Sequence, residues 1–261
     1  MRIAVFCKWC PDPTGVELFD DRSVVVDPAS WALGENDRVA VAMAMTVAAR
    51  QGGDVVAVTA GPPEIDTLLA RRSILSEGPD ALYTVADQRL SGADAHQTAR
   101  ALVAAVRRIG GIDVVVCGSG SADLHSQQVG VQAAELLGWP VLNNVVGATL
   151  GTGTVQLVRR SAVGEDTVEA PLPFVMAVVG DTEFGRERVT GDARSPDERC
   201  IVWSLDDLGP GATARRSSEV LSTTPSTVQC RGRVRITGEP SEVAAELVDR
   251  LHVAGLLGVR A

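Results

Sequence analysis

Residues 54–86 read DVVAVTAGPPEIDTLLARRSILSEGPDALYTVA, and the fold follows from the order of signals in that stretch. DVVAVTA and ALYTVA are short, rich in β-branched residues and apolar on both faces, as buried parallel strands are. Between them, from Pro63 to Leu75, runs a segment of helical periodicity entered through the turn signal TAGPP. Strand, helix, strand in that order makes a parallel pair joined by a right-handed crossover.

Working outward, the same alternation holds from Arg2 to about Leu142. Further strands are expected at RIAVFC (residues 2–7) and DVVVCG (residues 113–118). Helices are expected over Asp37–Arg50, with Asn36 as N-cap and a stop at Gly52-Gly53, over Ala93–Arg108 before Gly110-Gly111, and over His125–Leu137 after CGSGSAD. This predicts an α/β protein with a doubly wound, mostly parallel sheet. Beyond Pro140 the pattern changes to GATLGTGTVQLVRR, GEDTVEA and LPFVMAVVGD, a hairpin feeding one more core strand. Residues 182–198 are polar and broken by Gly185, Gly191 and Pro196, which predicts an exposed loop. Residues 206–234 are rich in Ser, Thr, Gly, Pro and Arg, and a helix is expected over Ser241–Leu257. The organisation expected is an α/β nucleotide-binding domain over residues 1–205 and, over 206–261, an arm and helix that pack on a partner subunit, because such a tail rarely folds alone.

Composition excludes several functions. A net charge of -9 and a pI near 4.9 argue against nucleic acid, whose binding draws on a basic surface. The longest apolar runs are strand-sized, well short of the roughly 18 residues that span a bilayer. No charged start, apolar stretch and cleavage site precede the first strand, so a soluble, cytoplasmic protein is expected. The five cysteines, Cys7, Cys10, Cys117, Cys200 and Cys230, are odd in number and scattered, which is no disulfide framework. Cys7-Lys8-Trp9-Cys10 has redox or metal spacing, but no second ligand pair accompanies it, and His96, His125 and His252 stand alone. Cys7 closes a strand and prolines follow, whereas a reactive thiol of this kind should open a helix. The odder residue of that stretch is Lys8, the only lysine in the chain.

In open parallel sheets, ligands bind outside the carboxyl ends of the strands, where strand order reverses. Three loops lie at such ends: CKWCPDP, TAGPP and GSGSADLHSQQVG. The last combines Gly118 and Gly120, which let the backbone approach a ligand, with Ser119, Ser121 and a following helix N-terminus suited to phosphate. Rival signatures are missing. There is no Gly-x-Gly-x-x-Gly after the first strand, no Walker-type Gly-Lys-Ser/Thr and no Gly-x-Ser-x-Gly elbow. Asp12, Asp20, Asp21 and Asp27 are read as solvated charges.

The order and spacing of these segments resemble the β subunit of electron transfer flavoproteins. Cys7-Lys8-Trp9-Cys10-Pro11-Asp12 is similar to that family's Val-Lys-x-Val-Pro-Asp segment, AVTAGP (residues 57–62) to its second loop, and Gly118 through Gly130, with Asp123, Gln128 and Gly130, to its Gly-rich loop. LLGWP (136–140), the Arg160–Gly164 hairpin, LPFVMAVV (172–179) and SLDDLG (204–209) continue the likeness along nearly the whole chain. The resemblance implies an adenine nucleotide alpha hydrolase-like, Rossmann-like fold and an electron carrier subunit rather than an enzyme. It implies an α-subunit partner holding most of an FAD, AMP or a second FAD in this chain, and relay of electrons from a flavin-dependent dehydrogenase to a quinone reductase or other acceptor. The cofactor-binding set it implies is Phe6, Lys8, Ala57, Thr59, Ala60, Asp123, Gln127, Gln128, Val129 and Gly130, with no catalytic residue and no metal. Two departures stand out: Leu33-Gly34-Glu35-Asn36-Asp37 replaces an Asn-Pro-x-Asp/Asn-Glu segment, and residues 182–200 lack both Asn-Glu-Pro-Arg and a lysine run. The second departure implies a dedicated dehydrogenase. A stand-alone adenine-nucleotide-binding enzyme of similar fold is the alternative, and a thiol oxidoreductase built on Cys7 and Cys10 is a third.

Overall fold

A computed structural model describes residues 1–18, 24–26, 30–150, 154–180, 195–218, 221 and 234–257. The loop expected over 182–198 lies mostly outside these residues, as do Asp20, Asp21, Asp27 and Cys230. In chain order, β1 (Arg2–Phe6) is followed by four three-residue strands, β2 (Trp9–Pro11), β3 (Val16–Leu18), β4 (Val24–Val26) and β5 (Trp31–Leu33). Then come α1 (Glu35–Gln51), β6 (Asp54–Gly61), α2 (Leu68–Leu75), β7 (Ala81–Ala86), α3 (Ala95–Ile109), β8 (Val114–Gly118) and α4 (Val129–Leu137). The chain continues through β9 (Val141–Leu150), β10 (Thr154–Ser161), β11 (Gly164–Pro171), β12 (Phe174–Val178), β13 (Cys200–Trp203) and α5 (Pro240–Val253).

Among the described residues one nine-stranded sheet runs β11-β10-β9-β12-β8-β1-β6-β7-β13. All neighbours from β9 to β13 in that order pair parallel, while β10 is antiparallel to both β9 and β11. The chain leaves β1 toward β6 and β7, then returns to β8 on the other side of β1, so strand order reverses between β1 and β8. Alternation along the central strands feeds two cores. Ile3, Val5, Val55, Ala57 and Val116 face α1 and α2, and Ala4, Phe6, Val56, Val58 and Val115 face α3 and α4. Each fully buried Val, Ile or Phe of these layers contributes roughly 1.5–3 kcal/mol of burial free energy before chain entropy is counted.

Several expected boundaries move. The N-cap of α1 is Gly34 rather than Asn36, which lies inside the first turn. Residues 63–65 form a short 3-10 turn, and α2 proper starts after Thr67, whose hydroxyl accepts the Ala70 N–H. The start of α3 is set by a capping box between Asp94 and Gln97. The helix expected from His125 begins only at Val129, so Gln127 and Gln128 belong to the preceding loop, with His125 (φ 47°) and Gln127 (φ 58°) left-handed.

The chain divides into two compact units, Met1–Thr224 and Pro225–Ala261. Residues 206–218, read from the sequence as the start of an arm, lie within the first unit: Ser217 and Ser218 bond to Asp94, and Gln97 donates to the Ala214 carbonyl at 3.0 Å. In the second unit α5 carries exposed Leu247, Val248 and Val253.

Candidate nucleotide site at the strand-order reversal

The carboxyl ends of β1, β6 and β8 surround a cavity of about 480 Å³, within the ordinary range for a small-molecule site. Its floor is the reversal between β1 and β8. The loop after β1 brings Lys8, whose Nζ meets both carboxylate oxygens of Asp123, at 2.8 and 2.6 Å, on the loop after β8. Burial works against ionisation of Asp123, but the Lys8 ammonium and the Ser121 hydroxyl outweigh it and hold the carboxyl below its usual value. The Lys8 N–H donates to Asp37 Oδ2 at 3.2 Å. Asp37 is only 6% exposed, and burial pushes its carboxyl up to about 7.

The start of α4 lines the same cavity. The Gln132 N–H bonds the Gln128 carbonyl, and no side chain caps the helix. The N–H groups of Val129, Gly130 and Val131 therefore have no intrahelical acceptor, and all three residues line the cavity. Glycines make the close approaches possible. A Cβ on Gly130 would sit 2.5 Å from Cys117 Sγ, one on Gly118 2.8 Å from Asn36 Cβ, and one on Gly120 2.5 Å from His125 Nδ1. Asn36 ties the loop down by donating from Nδ2 to the Gly120 carbonyl at 2.9 Å. A further contribution comes from β9, where Asn143 and Asn144 oppose the single Ala177 of β12 in a bulge. Asn144 is left-handed there (φ 58°), and both asparagines line the cavity.

Phe6, Lys8, Ala60, Asp123, Gln127, Gln128, Val129 and Gly130 all line this space. Ala57 and Thr59 do not: the pleat turns them to the other face of β6, where Ala57 is fully buried and Thr59 is 2% exposed. Asn143 and Asn144 escaped the sequence reading, while Asn36 and Asp37 entered it only as an N-cap and as part of a segment departing from the family pattern. Nothing local marks a buried acid or a bulge.

The thiols are not arranged for chemistry. Burial, followed by the charge of Asp37, lifts the Cys7 thiol well above its ordinary value. Burial and the Asp123 carboxylate push Cys10 up to about 11, and burial with Asp37 pushes Cys117 up to about 12. Such groups stay protonated at neutral pH and serve as small apolar residues. Among the described residues no cluster of His, Cys, Asp and Glu suits a metal ion, and no helix is long and apolar enough to cross a membrane.

This placement, in the crevice where a doubly wound sheet reverses, is where open α/β folds hold their ligands. Residues 23–196 match the electron transfer flavoprotein domain model. That segment takes in the strands β6 to β12 of the nine-stranded sheet, but not β1, and the loop from Gly118 to Gly130. On that match, spanning more than half of its length, the chain belongs to the electron transfer flavoprotein family.

Proposed function

We propose that this chain is the β subunit of a heterodimeric electron transfer flavoprotein, that it holds AMP in the cavity between β1, β6 and β8, and that it is a carrier subunit rather than an enzyme. The supporting observation is the combination of free N–H groups at the start of α4 with the sole lysine on the facing loop. Backbone donors and a helix N-terminus suit a phosphate, and Lys8 adds a compact positive charge. Phe6, Ala60, Leu90 and Leu102 offer apolar surface for a base, and Asn143, Asn144 and Gln128 offer hydrogen-bonding groups around it. The residues present thus fit a mononucleotide.

The flavin of such a complex, an FAD held mostly by the α subunit, would supply the electron-accepting ring, with electrons arriving from a flavin-dependent dehydrogenase and leaving to a quinone reductase or other acceptor. The contribution of this chain is to bind and orient. Lys8 and the α4 amides hold the phosphate, Asn36 fixes the loop that presents them, and the missing Cβ atoms of Gly118 and Gly130 let that loop and α4 pack closely on α1 and β8. The exposed apolar residues of α5, Leu247, Val248 and Val253, are assigned to the contact with the α subunit.

Co-expression with the α subunit, followed by heat denaturation and chromatography of the released nucleotides, tests this. A yellow complex that releases AMP as well as FAD is expected, and Lys8→Ala or Gln128→Ala should lower AMP retention, each lost polar contact being worth about 1 kcal/mol or more. Release of FAD alone, in a single equivalent, would show the site assignment to be wrong. Two equivalents of FAD without AMP would replace AMP by a second flavin in this cavity.

A further inference from the structure

One charge lining the cavity, that of an ionised Asp37, works against an anion there. Among the lining residues, Lys8, Asp37 and Asp123 are the charged ones. Lys8 is already matched by Asp123, with both carboxylate oxygens on its ammonium. An ionised Asp37 therefore leaves an excess negative charge in the wall of the cavity that the α4 amides also line. At low local dielectric such a charge opposes a phosphate strongly. The groups facing Asp37 offer no further compensation. From the loop after β1 come the Lys8 N–H and ammonium and the protonated thiol of Cys7, from the loop after β8 the Asp123 carboxylate, and from β2 and β8 the protonated thiols of Cys10 and Cys117. On its own helix Arg38 is engaged by Glu77.

Asp37 is built to lose that charge. Its Oδ2 accepts the Lys8 N–H, a bond that favours the carboxylate but that the carbonyl oxygen of a neutral carboxyl group can still accept, more weakly. No hydrogen bond to its Oδ1 is found among the described residues, so that oxygen is placed to carry a proton and donate it. We propose, building on the nucleotide reading above, that Asp37 takes up a proton when a phosphate ligand enters, and in its neutral form donates a hydrogen bond through Oδ1. Ligand binding is thereby coupled to proton uptake. The proton comes from solvent, and no bond in the ligand is broken. A free-site carboxyl at about 7 places the coupling at physiological pH. Below that value the acid is already neutral and AMP binds without penalty. Above it each binding event must bring a proton, so affinity falls as pH rises.

The test is calorimetric titration of AMP into the nucleotide-stripped full-length complex, from pH 6 to 8.5, in two buffers of different ionisation enthalpy. In the wild type, uptake approaching one proton per AMP is expected at pH 8, and the dissociation constant should climb by up to about tenfold per pH unit above 7. Asp37→Asn, whose amide accepts from Lys8 and donates into the cavity, should bind AMP as the wild type does at pH 6, bind it several-fold more tightly at pH 8, and take up no proton. The titration of the AMP phosphate itself, with a pKa near 6, is common to both proteins and cancels in the comparison. Proton uptake persisting in Asp37→Asn, or none in the wild type, overturns the inference and leaves the nucleotide site intact. Failure of AMP to bind at any pH overturns both. If Asp37→Asn does not fold, the proton count of the wild type decides alone.

Discussion

Gly130 and Cys117 share one small volume, since a Cβ on the glycine would lie 2.5 Å from the sulfur. Gly130→Ala gains helix propensity, about 1 kcal/mol, yet must push against β8, and overpacking of this kind costs typically 1–3 kcal/mol. We expect a net loss of stability for Gly130→Ala. Cys117→Ala should relieve the contact, so the double variant should be more stable than the sum of the single changes allows, as read by urea unfolding in a double-mutant cycle. Strict additivity would mean the contact carries no strain. At this scale legibility was uneven. Lys8 announced itself by being the only lysine. Asp37 did not, because an acid in the first turn of a helix is ordinary, and its burial is imposed by a loop far away in sequence. Asn144 was equally silent, its left-handed backbone belonging to a bulge that forms only when β9 meets β12.

Among the elements, the strands and helices of residues 54–118 were legible because periodicity, turn residues and caps agree there. The strand β13 was not, since four residues after a polar stretch carry no pattern of their own and gain their place from pairing with β7. The start of α4 was misplaced by four residues because no side chain caps it, whereas Asp94 caps α3 and does more. It accepts from the Gln97 N–H at 2.9 Å, and its other oxygen receives the Ser217 N–H at 2.6 Å, the Ser217 hydroxyl at 2.7 Å and the Ser218 N–H at 3.1 Å. Desolvation works against its ionisation, but these donors outweigh it and hold the carboxyl well below its usual range. A depressed carboxyl stabilises the fold above the unfolded value of about 3.9 and loses that contribution as pH falls through the folded value. Asp94→Ala should therefore cost about 0.5–2 kcal/mol at pH 7 and less as the solution is acidified below pH 4. It should also speed amide exchange at residues 214–218. Unchanged exchange there would show that the clamp holds nothing.

For the whole molecule, the division at Thr224 and Pro225 makes the proposed separation of nucleotide binding from partner assembly testable. A chain ended at Thr224 should melt cooperatively in a thermal scan and keep its affinity for AMP, but lose most of its association with the α subunit if α5 is the docking element. Undiminished association in a pull-down would move the partner contact onto the α/β unit. The doubly wound sheet was foreseeable from alternating strands and helices. The point of division was not, because residues 206–218 look like linker in sequence, while in the fold Ala212 and Leu208 pack against α3 and Asp94, Gln97 and Arg100 bond the segment to it. One feature of the cavity gives the molecule a handle of a different kind. With no second lysine in the sequence, the ammonium of Lys8, 43% exposed at its side chain, is the only side-chain primary amine the protein presents. Reductive methylation with isotope-labelled formaldehyde would thus plant its single side-chain label at the mouth of the cavity. The protein comes with a built-in spectroscopic reporter, a side-chain resonance distinct from that of the α-amine, whose position is expected to shift when a ligand fills the cavity, without a mutation or an engineered tag.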